Sequence, residues 1–301
     1  DYKVLLRRPG ETAGWLGRGY DPLNTRLDKR DKDDNPYFRD CTDEELDYRI
    51  QGLEQLNGIT LDRLDRRNSL LKQFNQQRRL LDQRGNISAM DRFRQRALAL
   101  VSSEQTQQAF DVRREPDKLR DRYGRHLFGQ STLVARRLVE TGVRFVTVHY
   151  DAVDGYSWDS HRSSDYLEKH LVPTLDQALS ALLTDLDERG MLDETLVVWG
   201  GEFGRTTYSQ GGAGEAANGR DHHPRCFTYW MAGGGIRAGM TYGETDEFGY
   251  NILKDPVHVH DWQATIMHLM GIDHKRLTFH HSGRDYRLTG VYGEVVKAIL
   301  A

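Results

Sequence analysis

Three short apolar runs constrain this chain more than any other feature. They are VRFVTVHY (143–150), LVVW (196–199) and FTYWM (227–231), all rich in β-branched and aromatic residues. The first has little polar alternation, as expected of a parallel strand buried on both faces. Helix-period segments lie around them. Residues 131–140 are amphipathic and are closed by Gly142. Residues 164–189 repeat leucine near the 3.6-residue period, from Leu167 and Leu171 to Leu186, and Pro173 predicts a kink or a fresh start at its first turn. Asp261 is a candidate cap for a short helix ending at Met270, with Gly271 as its stop, and a last helix is expected over about 293–300. Strands that alternate with helices predict an α/β fold with a mostly parallel sheet flanked by helices.

The stretch before these runs has a different texture. Residues 1–40 read as loop, punctuated by Pro9, Gly10, Gly14, Gly17, Gly19, Pro22 and Pro36. Thr60 can cap a helix that carries Leu61, Leu64, Leu71, Phe74 and Leu81 and stops at Gly85. A second helix is expected over 88–110, with Met90, Phe93, Ala97, Leu100 and Val101 on one face. The first 130 residues hold 26 Lys and Arg against 22 Asp and Glu, with no histidine before His126, whereas the whole chain of 301 residues has 42 against 45 and 12 histidines. The sequence therefore divides into an N-terminal loop and helical segment, residues 1–116, read as an insertion or cap, and a core over 117–301. A net charge of −3 leaves no polyanion-binding footprint, so nucleic acid is not expected as a partner. No run approaches the roughly 18 apolar residues of a membrane-spanning helix. Two cysteines, Cys41 and Cys226, make neither a disulfide framework nor a CxxC metal motif.

Ligands of open α/β sheets bind beyond the carboxyl ends of the strands. After the first run come His149, Asp151 and then Trp158-Asp159-Ser160-His161. After the second come Glu202 and Arg205, and just before the third come Asp221, His222 and His223. Carboxylates and imidazoles without thiolates suit a divalent cation such as zinc or manganese, with calcium and magnesium as further candidates. Asp159, His161, Glu202 and His222 form the expected ligand set, and His149, Asp151, Asp221 and His223 are secondary candidates. Such a cation polarises a phosphoryl or sulfuryl oxygen and lowers the pKa of a bound water. Arg205 would bind an anionic oxygen pair. Plainer readings stand beside these. Glu202 and Arg205 also fit an ion pair that pins a glycine turn, and one of His222 and His223 also fits a structural role. His258, His260, His268, His274, His280 and His281 read as surface or packing positions. The glycine groups lack GxGxxG spacing, and no GxSxG, HExxH or GxxxxGK[ST] motif is present.

The runs ARRLVETGVRFVTVHYD, WDSH, LDQALSALLTDLDERGMLDETLVVWGGEFGRT, GRDHHP and MAGGGIRAGMTYGETDEFG, in this order, closely resemble the bacterial family called domain of unknown function 1501. That family has no firmly assigned reaction and is similar to the sulfatase and alkaline-phosphatase superfamily. The resemblance implies an α/β sandwich with one or two metal sites at the strand ends, and an anionic small-molecule or polysaccharide ester as partner. Asp159 and His161 resemble the superfamily's Asp…His pair, though spaced by one residue instead of three. Glu202 stands where an Asp-His pair is expected, and His222 resembles the late lone His. These departures leave a non-catalytic binding or assembly protein as the alternative to a hydrolase. Family members often carry a twin-arginine export signal, which implies a periplasmic or secreted protein. The chain opens on Asp1 without a signal and offers no candidate nucleophile in residues 1–40, so a truncated N-terminus with the nucleophile upstream is expected.

Overall fold

Helix starts and stops are set by local chemistry throughout. The computed structural model describes residues 12–13, 21–22, 24–26, 35–50, 103–150, 158–161, 164–210 and 218–301. The chain divides into two compact units, residues 1–148 and 149–301. The dividing line falls after Val148, so the segment from 117 to 148 belongs with the first unit.

In the first unit, β1 (Thr25–Arg26), within the stretch read as loop, pairs antiparallel with β2 (Arg49–Ile50). Helix α1 (Glu104–Phe110) begins at Ser103, whose hydroxyl accepts from the Thr106 amide. The remainder of the helix expected over 88–110, and all of that expected from Thr60 to Gly85, lie outside the described residues. A 3-10 turn (Val112–Arg114) follows, then α2 (Asp117–Tyr123) directly after Pro116, and α3 (Leu127–Glu140). Helix α3 starts four residues ahead of the sequence expectation because the His126 ring Nδ1 accepts from the Gly129 amide and caps it. It ends where Gly142 takes a φ of 93°. Helix α3 packs on α1 and α2, and Leu133, Val134, Phe128, Ala109, Val112 and Tyr123 are buried.

Among the described residues of this unit, Arg120 and Arg136 bury their guanidiniums. Arg136, with a fully covered side chain, reaches Glu115 at 2.8 Å and Glu140 at 2.5 Å. Arg120 pairs with Asp43 at 2.6 Å, and its Nε donates to Gln130. The Gln130 amide in turn donates to the carbonyls of Arg120 and Gly124, which locks the α2–α3 turn. Residues 143–150, expected as a buried strand, carry no regular secondary structure. Phe145 in this run is 68% exposed, so the run lacks the double-sided cover that a parallel strand requires.

In the second unit, helix begins at residue 165 and passes through a π-helical turn (Leu167–Leu171) into α4 (Val172–Glu188). Pro173, in the first turn of α4, lies inside this continuous stretch, and the irregular π turn stands just before it. Leu171, Leu175, Ala178, Ala181 and Leu186 form the buried stripe. After a 3-10 turn (Leu192–Glu194) comes β3 (Val197–Trp199), then β4 (Gly204–Arg205), β5 (His222–His223) and β6 (Trp230–Ala232). Strand β3 pairs with β6 and β4 with β5, both antiparallel. The remaining strands are β7 (Glu244–Thr245) with β8 (Ile252–Lys254), and β9 (Thr278–His281) with β10 (Arg284–Arg287). The described ladders are thus short and antiparallel, where the sequence predicts a mostly parallel sheet.

Helix α5 (Val259–Leu269) lies between β8 and β9. It is capped by His258, and Asp261 accepts back from the His258 amide, so Asp261 completes a capping box in place of starting the helix. The C-terminal helix expected over 293–300 is a 3-10 turn (Lys297–Ile299), because Leu300 bridges to Ile236 and draws the chain into extended form. Among the described residues no helix is long and apolar enough to cross a membrane.

Burial raises the Glu115 carboxyl, but the Arg136 and Arg137 guanidiniums lower it by more, leaving it below the ordinary glutamate range. Its contribution to stability is complete above the unfolded value of about pH 4.3 and is lost as the pH falls through the depressed folded value. Glu115→Gln is therefore expected to flatten the acid limb of a urea-midpoint profile between about pH 2 and 6. Arg136→Ala should cost about 3 kcal/mol at neutral pH, near the low end for a broken buried pair, since Arg137 still reaches Glu115.

Candidate metal centre

Backbone pairing places the site. In the β4–β5 ladder Gly204 faces His223 and Arg205 faces His222. Neighbours along a strand point to opposite faces, so the two histidines separate. His223 turns inward and is buried. Its Nε2 donates to the Tyr250 carbonyl at 2.7 Å, and its ring stacks on Tyr250 at 4.5 Å. The Tyr250 turn is itself tied by Asp246, whose carboxylate accepts from the Tyr250 and Asn251 amides. His223 is an anchor, and His222 faces outward beside Arg205.

The loop carrying Asp159 and His161 is laced to this ladder. The Arg220 amide donates to the Ser160 carbonyl at 3.1 Å, and the Arg220 guanidinium donates to the Thr206 carbonyl at 3.0 Å. Buried Thr206 accepts from the Asp221 amide through its hydroxyl and donates its own amide to the Asp221 carbonyl. Asn218 and Ser164 add two further bonds. On the aromatic side, Trp158 packs edge-on against Tyr150 and Trp199, with ring centroids 5.7 and 6.1 Å apart.

Three donor atoms converge. Nε2 of His222 lies 2.9 Å from Asp159 Oδ1 and 2.9 Å from Nε2 of His161, and the third edge, from His161 to Asp159, is 3.0 Å. On the far side of its ring, His161 Nδ1 stands 2.6 Å from the Gln210 side-chain oxygen. A carbonyl oxygen only accepts, so Nδ1 is the donor, and a neutral His161 ring then carries its lone pair on Nε2, facing the group. In that tautomer His161 Nε2 offers a lone pair to the group and not a proton. A tetrahedral cation with bonds of about 2.0–2.1 Å needs donor edges of about 3.3 Å, so the triangle opens by only a few tenths of an ångström to admit one. Among the described residues Asp159, His161 and His222 are the one group of His, Cys, Asp or Glu donors close enough to hold an ion together.

Arg205 Nη1 is 2.7 Å from the same Asp159 oxygen, a charge contact that lacks the angle of a hydrogen bond. Burial raises the Asp159 carboxyl, and His222 and Arg205 together outweigh it, leaving the group below the ordinary aspartate range. Glu202 is not among the converging donors. It is exposed and lies 3.5 Å from Arg205 Nη2, the loose form of the ion-pair reading. Asp221 sits at the edge, 3.7 Å from His161 Nδ1. His149 is exposed and outside the donor group, and Asp151 lies outside the described residues. Gln210, Thr206 and Tyr250 contribute without having been singled out from the sequence. Gln210 beside Gly211-Gly212 carries no spacing signal that links it to His161, 49 positions away.

The chain belongs to the family described as a protein of unknown function, DUF1501, whose model matches residues 5–300. No curated protein and no solved structure matches the chain.

Gly204 is the backbone contact on which the ladder depends. A Cβ there would stand 2.1 Å from the Cys226 carbonyl oxygen, so any side chain must push β4 away. Gly204→Ala is expected to cost about 1–3 kcal/mol, read as a lower thermal midpoint by circular dichroism.

Proposed function

We propose that this protein is a divalent-cation-dependent hydrolase of sulfate or phosphate esters, working outside the cytoplasm on a sulfatase-like α/β scaffold. The observation that carries the reading is the convergence of Asp159, His161 and His222 on one point beside Arg205. A carboxylate with two imidazoles favours zinc or manganese over the all-oxygen preference of calcium and magnesium. Three protein donors with an open position are the pattern of a catalytic and not a structural zinc site. When bound, the cation supplies Lewis acidity toward an ester oxygen and toward water. The chain's own residues do the rest. Gln210 fixes the His161 ring so that Nε2 points inward. Arg205 offers its planar fork to the anionic oxygens. Asp159, solvent-accessible yet held ionised, supplies the negative charge of the donor set. The substrate class is an anionic small-molecule or polysaccharide ester.

A second reading, a non-catalytic binding or assembly protein, draws on the self-satisfied state of Asp159, which already faces Arg205, His222 and His161. One experiment separates the two. Purified protein is analysed for bound metal and assayed with aryl sulfate and aryl phosphate, with and without chelator. The hydrolase reading expects near-stoichiometric zinc or manganese and turnover that chelator abolishes. It also expects His161→Ala and His222→Ala each to weaken metal binding by more than about 100-fold, beyond what loss of a supporting group costs. Metal without turnover supports the binding reading. Absence of bound metal, together with unaltered behaviour of both variants, sinks the hydrolase reading.

A further inference from the structure

We propose that Arg205 couples cation and anion binding: Asp159 holds the guanidinium until a divalent cation takes the carboxylate, and only then does Arg205 receive a tetrahedral oxyanion. The inference rests on the reading of Asp159, His161 and His222 as cation donors and adds an order of binding to it.

Three observations carry it. First, Arg205 Nη1 and His222 Nε2 compete for one atom, Asp159 Oδ1, at 2.7 and 2.9 Å. Second, Nη1 is buried and its contact with Asp159 is electrostatic alone, with no acceptor in hydrogen-bonding geometry. A buried N–H without an acceptor costs free energy, so this nitrogen gains from a better-placed oxygen. Third, Nη2 has only a loose 3.5 Å contact, to an exposed carboxylate. The guanidinium is therefore positioned by charge more than by directed bonds, and its second nitrogen is free of tight engagement.

A cation about 2.0–2.1 Å from Oδ1 would stand within about 5 Å of Nη1. Positive charges at that range repel, and the oxygen that attracted Arg205 is now engaged. The guanidinium then turns to the next acceptor. A sulfate or phosphoryl group offers two oxygens to its fork and neutralises both the cation and the arginine. The coupling is reciprocal by linkage: what the cation does for the anion, the anion does for the cation. The ligand pair is a divalent cation and a tetrahedral oxyanion, the two halves of a metal-assisted ester cleavage.

The test is calorimetric titration of zinc chloride into the full chain, with sodium sulfate present or replaced by chloride at equal ionic strength. The expected result is a zinc affinity about fivefold or more higher in sulfate for the unaltered protein. In Arg205→Ala, zinc should bind more tightly in chloride, because its competitor is gone, and the sulfate effect should fall below about twofold. Arg205→Gln keeps a planar polar group on β4 without the charge and should behave in the same way, which covers the case in which the alanine variant does not fold. Zinc binding that ignores sulfate in the unaltered protein, or that weakens in both variants, overturns the coupling and leaves the cation reading intact. Failure of zinc to bind the unaltered protein overturns both.

Discussion

One carboxylate oxygen organises the candidate site. Asp159 Oδ1 is the common vertex of contacts to Arg205, His161 and His222, so a guanidinium and two imidazole nitrogens are arranged around a single negative charge. Without that charge, the guanidinium and the imidazoles have no reason to sit so close. With it, the carboxyl is held ionised against the cost of its own partial burial. On the proposed reading the same charge serves two occupants in turn, because what attracts arginine also attracts a divalent cation.

The vertex is useful only because the backbone delivers the other corners to it. The β4–β5 register sets Arg205 opposite His222 and sends His223 to the opposite face, where the Tyr250 carbonyl and ring hold it. Thr206 and Arg220 then fasten the Asp159 loop to that ladder through carbonyls and amides. The site is thus built from a two-residue strand pair and a laced loop, with little regular structure around it. The first unit is held differently. Its helices bury the guanidiniums of Arg120 and Arg136, and the depressed Glu115 carboxyl beside Arg136 makes α3 sensitive to acid in a way an apolar interface is not.

Helical elements were legible where the signal is local. The leucine spacing with Pro173 marks α4, and the amphipathic run closed by Gly142 marks α3, because period and capping depend on neighbours a few residues away. The β-rich runs were legible only in part: two of them supply or overlap β3 and β6. Residues 143–150 have strand composition but no ladder, and LVVW forms β3 in an antiparallel pair, because strand formation depends on a partner distant in sequence. At the site, Asp159, His161, His222 and Arg205 stood out by residue type and by their places beside apolar runs. Glu202 stood out for the same reason and yet lies apart from the donors, since a side chain's direction depends on local backbone and not on chain position. Gln210 was invisible, because its role exists only through a fold that brings it to His161.

The sequence by itself determined the DUF1501 membership, the leucine stripe of α4 and the supply of imidazoles and carboxylates, all properties of residue identity and short-range spacing. Only the tertiary structure decided which two histidines share an oxygen, which one is a buried anchor, and that Arg205 stands at that same oxygen. Such assignments turn on contacts across 27 to 63 positions of chain, set by strand register and backbone hydrogen bonds that residue type alone does not encode.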